Sequence, residues 1–297
     1  LEEAVVSVTN WKEAPARLRT RVNLSIRKAT GLTQDPPPPC KDPRTAYFPV
    51  NGVARLVHGD LSSMMVGGIG SLFFQMLHPY AMAGVAQHSR YQHDPLGRLL
   101  QTANFIGATT YGSKPTAAAS IERVLSVHQA VRGVADDGSE YYANDPHLLA
   151  WVHVAEMSMF LSGYQRYGRR RLSRSDADAY VFEMATLALD FGVENPPTTV
   201  RGLNEALQEF RPELRLSREG IEARDFVMDG FVEGLLQRLV YRLLVLSAID
   251  LLEPWALELL DVPARPSWQR RPLRWSAHVL CFVMRMFVPP HEPVNFK

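Results

Sequence analysis

Between Leu61 and Ser89 the chain carries no Asp, Glu, Lys or Arg. Gln75, His78 and His88 stand out in a run of largely apolar and small residues, LSSMMVGGIGSLFFQMLHPYAMAGVAQHS. An uncharged run of this length is how a membrane span announces itself. Pro79 argues otherwise, because it breaks or kinks a helix at the residue before it. The flanks Arg55, Asp60, Arg90 and Asp94 also lack the one-sided positive cluster that orients a span. The run therefore predicts a deeply buried helical hairpin, with a membrane-inserted segment as the alternative. A histidine in such surroundings needs a hydrogen-bond partner, a metal or a ligand to offset its burial.

The 297 residues, 46% hydrophobic, suffice for one large domain or two modest ones. A net charge of +1 gives no field that favours nucleic acid, and no nucleic-acid motif is present. Cys40 and Cys281 are too few for a disulfide framework, a zinc finger or an iron–sulfur cluster. The plain expectation is a reduced, cytoplasmic protein without a visible signal peptide, although the chain begins at Leu1 and a leader may have been trimmed.

Residues 1–50 are weakly patterned and contain Pro36-Pro37-Pro38-Pro39, which predicts an arm and linker ahead of a domain spanning 51–297. Asp94-Pro95 then supplies a helix cap and first turn. The following helix places Arg98, Gln101, Thr102 and Phe105 on one face. In the next helix Ile121, Val124, Leu125, His128 and Val131 form an apolar stripe, predicting that His128 points at the core. Asp136-Asp137-Gly138 reads as a turn. Asn144-Asp145-Pro146 opens a helix carrying His153 and Glu156, followed by the arginine-rich segment 166–174. A helix from Ser217 is expected to run past Val240, and a last one to cover about 273–287. With no alternating strands and no repeat, the expected fold is all-α, a single bundle-like domain.

A lone histidine on an apolar face is more often a satisfied core residue than a ligand. His128 nevertheless has the setting of an axial haem ligand, one neutral imidazole held by a rigid helix in an apolar slot. Arg98 and Thr102 suit the rest, since a guanidinium pairs with a propionate and a hydroxyl hydrogen-bonds a small oxygen ligand. His153-x-x-Glu156 reverses the Glu-x-x-His order of di-iron bundles and has no second copy; Glu122 and Glu183 do not complete the set. Gly67-Gly68-Ile69-Gly70 lacks the Lys-Ser/Thr of a phosphate loop and reads as close helix packing. The arginines at 166–174 read as a solvated helix end, with contact to anionic lipid or a partner as the second reading.

In order and spacing, several segments together resemble the MpaB-type oxygenases, relatives of the latex-clearing proteins that cleave rubber. They are Met76-Leu77-His78-Pro79, Ala83–Ser89, Asp94-Pro95-Leu96-Gly97-Arg98, Thr102, His128–Gly133, Tyr142–Pro146, Trp151-Val152-His153, Tyr164, Tyr167-Gly168 and Tyr180-x-x-Glu183. The resemblance implies an all-helical fold around haem b, with His128 as proximal iron ligand and Arg98 and Thr102 on the helix facing the haem. Gln101 stands where the rubber-cleaving branch has a lysine, and no carboxylate lies between Asp60 and Asp94, where that branch has a catalytic glutamate. The expectation is thus a haem-dependent oxygenase or oxidase using O2 or peroxide on an apolar, alkene-containing substrate, with a redox partner allowed. Arg98, Thr102 and Gln101 would steer the oxygen, and His78 and His153 are further pocket candidates. The rivals are a haem carrier or gas sensor on the same fold, and a metal-free helical protein that binds lipids or partners.

Overall fold

The computed structural model describes residues 39–287, so most of the expected N-terminal arm lies outside the described residues. Twelve α-helices and one two-stranded hairpin make up the described residues, which bears out the all-α expectation. The uncharged run forms two helices that break at Pro79 as predicted, α2 (Leu61–Gln75) and α3 (Pro79–His88), with His78 as the N-cap of α3. They scarcely touch each other, however, and so do not form the expected deeply buried hairpin. Instead α2 lies against the helix at 146–167, and α3 lies against the helix at 218–229 with its end, Gln87 and His88, exposed. Asp60 caps α2 by accepting from the Ser63 amide, and Arg285 clamps the same carboxylate at 2.9 Å.

The centre of the molecule is α2 laid antiparallel against α6 (Pro146–Tyr167), with Ser63 and Gly67 beside Gly163 and Phe74 stacked near Trp151. A Cβ on Gly67 would lie 2.8 Å from the Met159 carbonyl oxygen, and one on Gly163 would lie 2.9 Å from that of Ser63. The glycine run therefore serves backbone approach, as its sequence context suggested. Phe73, Phe74, Leu77, Trp151, Met157 and Tyr164 are essentially inaccessible around this contact. None of the described helices is long and apolar enough to cross a membrane.

Around this pair come α1 (Val53–His58), α4 (Pro95–Tyr111), α5 (Lys114–Gln129), α7 (Arg174–Asp190), α8 (Val200–Phe210), α9 (Arg218–Asp229), α10 (Leu235–Ile249), α11 (Pro254–Leu259) and α12 (Ser267–Phe287). The caps fall where the sequence places them: Asp94 accepts from Gly97, Asp145 from His147, and Ser173 forms a capping box with Asp176. Residues 39–50 lie against this domain, with Phe48 in the core and the Cys40 amide donating to the Tyr111 carbonyl.

Three further features differ from expectation. Asp136-Asp137-Gly138 does turn the chain, but it joins strands β1 (Arg132–Val134) and β2 (Glu140–Tyr142), too short for their alternation to register. The helix from Ser217 stops at Asp229, because Gly230 and Gly234 adopt φ of +83° and +90°, conformations that end one helix before α10 starts. The last helix begins at Ser267 and carries Pro272 inside, where an exposed position in the second turn tolerates the ring.

Candidate functional site

Helices α4 and α5 pack as an antiparallel hairpin whose far ends bring Arg98 and His128 into the same neighbourhood. Burial pushes the His128 pKa down, the Asn144 side chain beside it pulls it up, and the Arg98 charge lowers it again. All three effects concern one ring nitrogen environment. His128 Nδ1 is buried without a hydrogen bond, and Asn144 Oδ1 is buried without one as well. A ring N–H and an amide carbonyl are complementary groups, and a small adjustment of either side chain satisfies both. Asn144 is itself held in place by donating its Nδ2 to the Leu125 carbonyl at 3.1 Å. A bond from Nδ1–H to Asn144 would fix the tautomer that leaves the Nε2 lone pair free, which is what an axial ligand requires.

The stripe predicted to face the core is only half-buried: Ile121 is inaccessible, while Val124, Leu125 and His128 keep contact with solvent. Arg98 is exposed along its chain, yet surrounding protein still lowers the pKa of its guanidinium. Thr102 Oγ1 donates to the Arg98 carbonyl at 3.1 Å, and Gln101 is exposed one residue before it. Phe105, the next residue of that face, packs edge-on against Phe191.

His78 and His153 do not join this group through any hydrogen bond, ion pair or ring contact among the described residues. His78 is buried against Tyr80 and Trp151, with neither ring nitrogen paired, and burial depresses its pKa to about 4. His153 is buried on α6, also depressed to about 4 by burial.

Two groups have environments that the sequence reading did not anticipate. His58 is partly buried, with Nδ1 2.7 Å from Thr110 Oγ1 and Nε2 3.0 Å from Tyr180 OH. Its burial drives its pKa to about 3, so it is a neutral strut between α1, α4 and α7. Nothing in the short segment VARLVH marks it in advance. Glu156 is the second: burial raises its carboxyl to about 7, opposed by the Gln75 amide, whose Nε2 lies 3.5 Å away. It retains some accessible surface despite that burial, so it borders internal space. The sequence showed Glu156 beside His153, but not that α2 would deny it a cation.

Glu183, weighed above as a metal carboxylate, instead caps α1 by accepting from the Val53 and Ala54 amides at 3.0 and 2.7 Å, while Glu122 is exposed. No group of His, Cys, Asp and Glu able to hold a bare metal ion occurs among the described residues. An open groove of roughly 520 Å³ between α7 and α8, lined by Gln165, Arg174, Asp178, Arg201 and Gln208, includes none of the candidates.

Neither a curated protein nor a solved structure matches the chain. A family model does, over residues 55–285, a stretch running from α1 to the end of α12 and containing every candidate residue named above. The chain thus belongs to the family described as ER-bound oxygenase mpaB/B'/rubber oxygenase, catalytic domain.

Proposed function

We propose that this oxygenase-type domain is a haem b-dependent oxygenase in which His128 is the proximal iron ligand. The observation that supports this most is that His128 Nδ1 and Asn144 Oδ1 are both buried without a hydrogen-bond partner while the Asn144 side chain lies close enough to act on the imidazole. The lack of a multi-residue metal cluster among the described residues is compatible with a porphyrin, which needs one protein ligand. Bound haem would supply a redox-active iron for activating O2 or peroxide against an apolar, alkene-containing substrate.

The chain's own residues would do the rest. Arg98 keeps the nearby imidazole neutral, as a ligand must be, and offers a counter-charge for a propionate. Thr102 presents hydroxyl lone pairs, its proton being directed to the Arg98 carbonyl. Gln101 supplies an uncharged amide in place of a lysine. Glu156 can hold or release a proton at Oε near neutral pH, which the stretch between Asp60 and Asp94 cannot. Electrons from a redox partner, if the reaction uses them, would have to enter from outside.

The test is the visible spectrum and pyridine haemochrome of protein expressed with a haem precursor. Near-stoichiometric b-type haem is expected, and His128→Ala should lose at least nine-tenths of it while melting like the wild-type apoprotein. A variant with full haem and an unchanged Soret band would overturn the assignment. Oxygen uptake with a prenyl or terpenoid alkene then separates an oxygenase from a carrier or sensor, which binds gas without consuming it.

A further inference from the structure

Helix α12 is apolar on two opposite faces. Its inner face buries Ala277, Cys281 and Met284. Its outer face repeats Trp268, Pro272, Trp275, Val279 and Phe282 at alternating spacings of four and three, which align on one line of a helix. Trp268 is 71% exposed, Trp275 70% and Phe282 58%. The stripe runs for about 21 Å along the helix axis. An outward helix face on a water-soluble domain is expected to be polar, so a line of two tryptophans and a phenylalanine requires a reason.

The charge beside the stripe supplies one. Arg271 and His278 border it on one side, with Arg274 and Arg285 one step further round the same flank. Arg166 and Arg270 sit with Arg274 around the buried Asp250, and Arg285 is matched by Asp60 with Arg169 close by. Two carboxylates thus hold four arginines, and Arg271 and Arg169 add charge that has no ion pair among the described residues. Trp and Phe on one line with arginines along its border are the composition of a helix lying in a lipid headgroup layer.

We infer that the outer face of α12 docks the domain on the surface of an anionic lipid bilayer, the rings entering the headgroup layer and the arginines meeting phosphates. A second copy of the chain packed antiparallel along this stripe would bring like arginine flanks together, and a parallel copy would leave the arginines facing no opposite charge. Residues 1–38 also fit poorly as an intrachain cover, since their arginines and lysines outnumber their carboxylates.

The experiment is co-sedimentation of the full 297-residue chain with phosphatidylcholine vesicles, with and without phosphatidylserine. Binding to the anionic vesicles should be at least tenfold stronger and should weaken as salt rises. Trp268→Ser with Trp275→Ser should abolish most of it, as should Arg169→Glu with Arg271→Glu. These side chains are exposed, so the melting temperature should hold. Bromolipid quenching of wild-type tryptophan emission provides a readout that needs no variant. Failure to bind anionic vesicles at low salt, binding that the variants leave intact, or a dimer that the tryptophan variant dissolves would each overturn the inference.

Discussion

The α2–α6 pair and the α4–α5 hairpin are both pairs of antiparallel helices, but they pack in opposite ways. Along α2 and α6 the backbones touch at Gly67 and Gly163, and no added Cβ fits at either position. Along α4 and α5, by contrast, a Cβ on Gly107 would meet nothing within 4 Å, and the faces carrying Arg98, Thr102 and His128 stay partly accessible. The first pair is a scaffold whose interior is filled by its own side chains. The second keeps polar groups beside space, at the cost of burial it could otherwise have gained. Rigidity in the one is what allows looseness in the other, since ligand-binding elements come from the less tightly packed part of a fold.

Variants should separate the two regions by what they move. The largest effect is expected for Gly67→Val, which drives a branched side chain into the Met159 and Phe160 backbone; about 3 kcal/mol of stability should be lost in urea melts. Any protein that still folds should keep an unchanged haem spectrum. Asn144→Ala should do the reverse. Removing the group that orients His128 should weaken haem retention by about 10–100-fold, measured as transfer to apomyoglobin, with a near-normal melt. Equal haem loss in both variants would erase the distinction drawn here.

Titration provides a subtler comparison. Glu156 has a raised folded pKa of about 7, so the native state binds more protons than the unfolded state from about pH 4.5 to 7. Its contribution to stability is present at low pH and is lost as pH rises through that window. His58, His78 and His153 are depressed to about 3, 4 and 4, so their contribution runs the other way, growing as pH rises from about 4 to 6.5. Wild-type stability should therefore climb to about pH 6.5 because the histidines outnumber the carboxyl. The difference between wild type and Glu156→Gln should change by about 2 kcal/mol between pH 4.5 and 7, in the direction that favours the glutamine variant at higher pH. A pH-independent difference would show that Glu156 is ionised throughout. The smallest effect belongs to Asp94→Ala at the start of α4, about 1 kcal/mol for the lost cap, readable as a melting shift with the spectrum retained.

Much of this molecule was legible in one dimension. The absence of charge from Leu61 to Ser89 marked two largely apolar helices, and Pro79 marked where they break, because both act through local chemistry; that the two pack on different partners and not on each other was not local. Asp94, Asp145 and Ser173 marked helix starts for the same reason. The spacing of Arg98, Gln101 and Thr102 put them on one face, since helical periodicity is a property of the chain alone. Tertiary structure decided the rest. It made the His128 stripe a half-open wall instead of core, set Asn144 beside that imidazole, and assigned Glu183 to the start of α1. It also buried Glu156 with the Gln75 amide and no cation as its hydrogen-bond partner among the described residues, and that burial raises its carboxyl pKa to about 7. Each of those outcomes depends on which helix lies opposite, and periodicity tells a residue its face but not its neighbour.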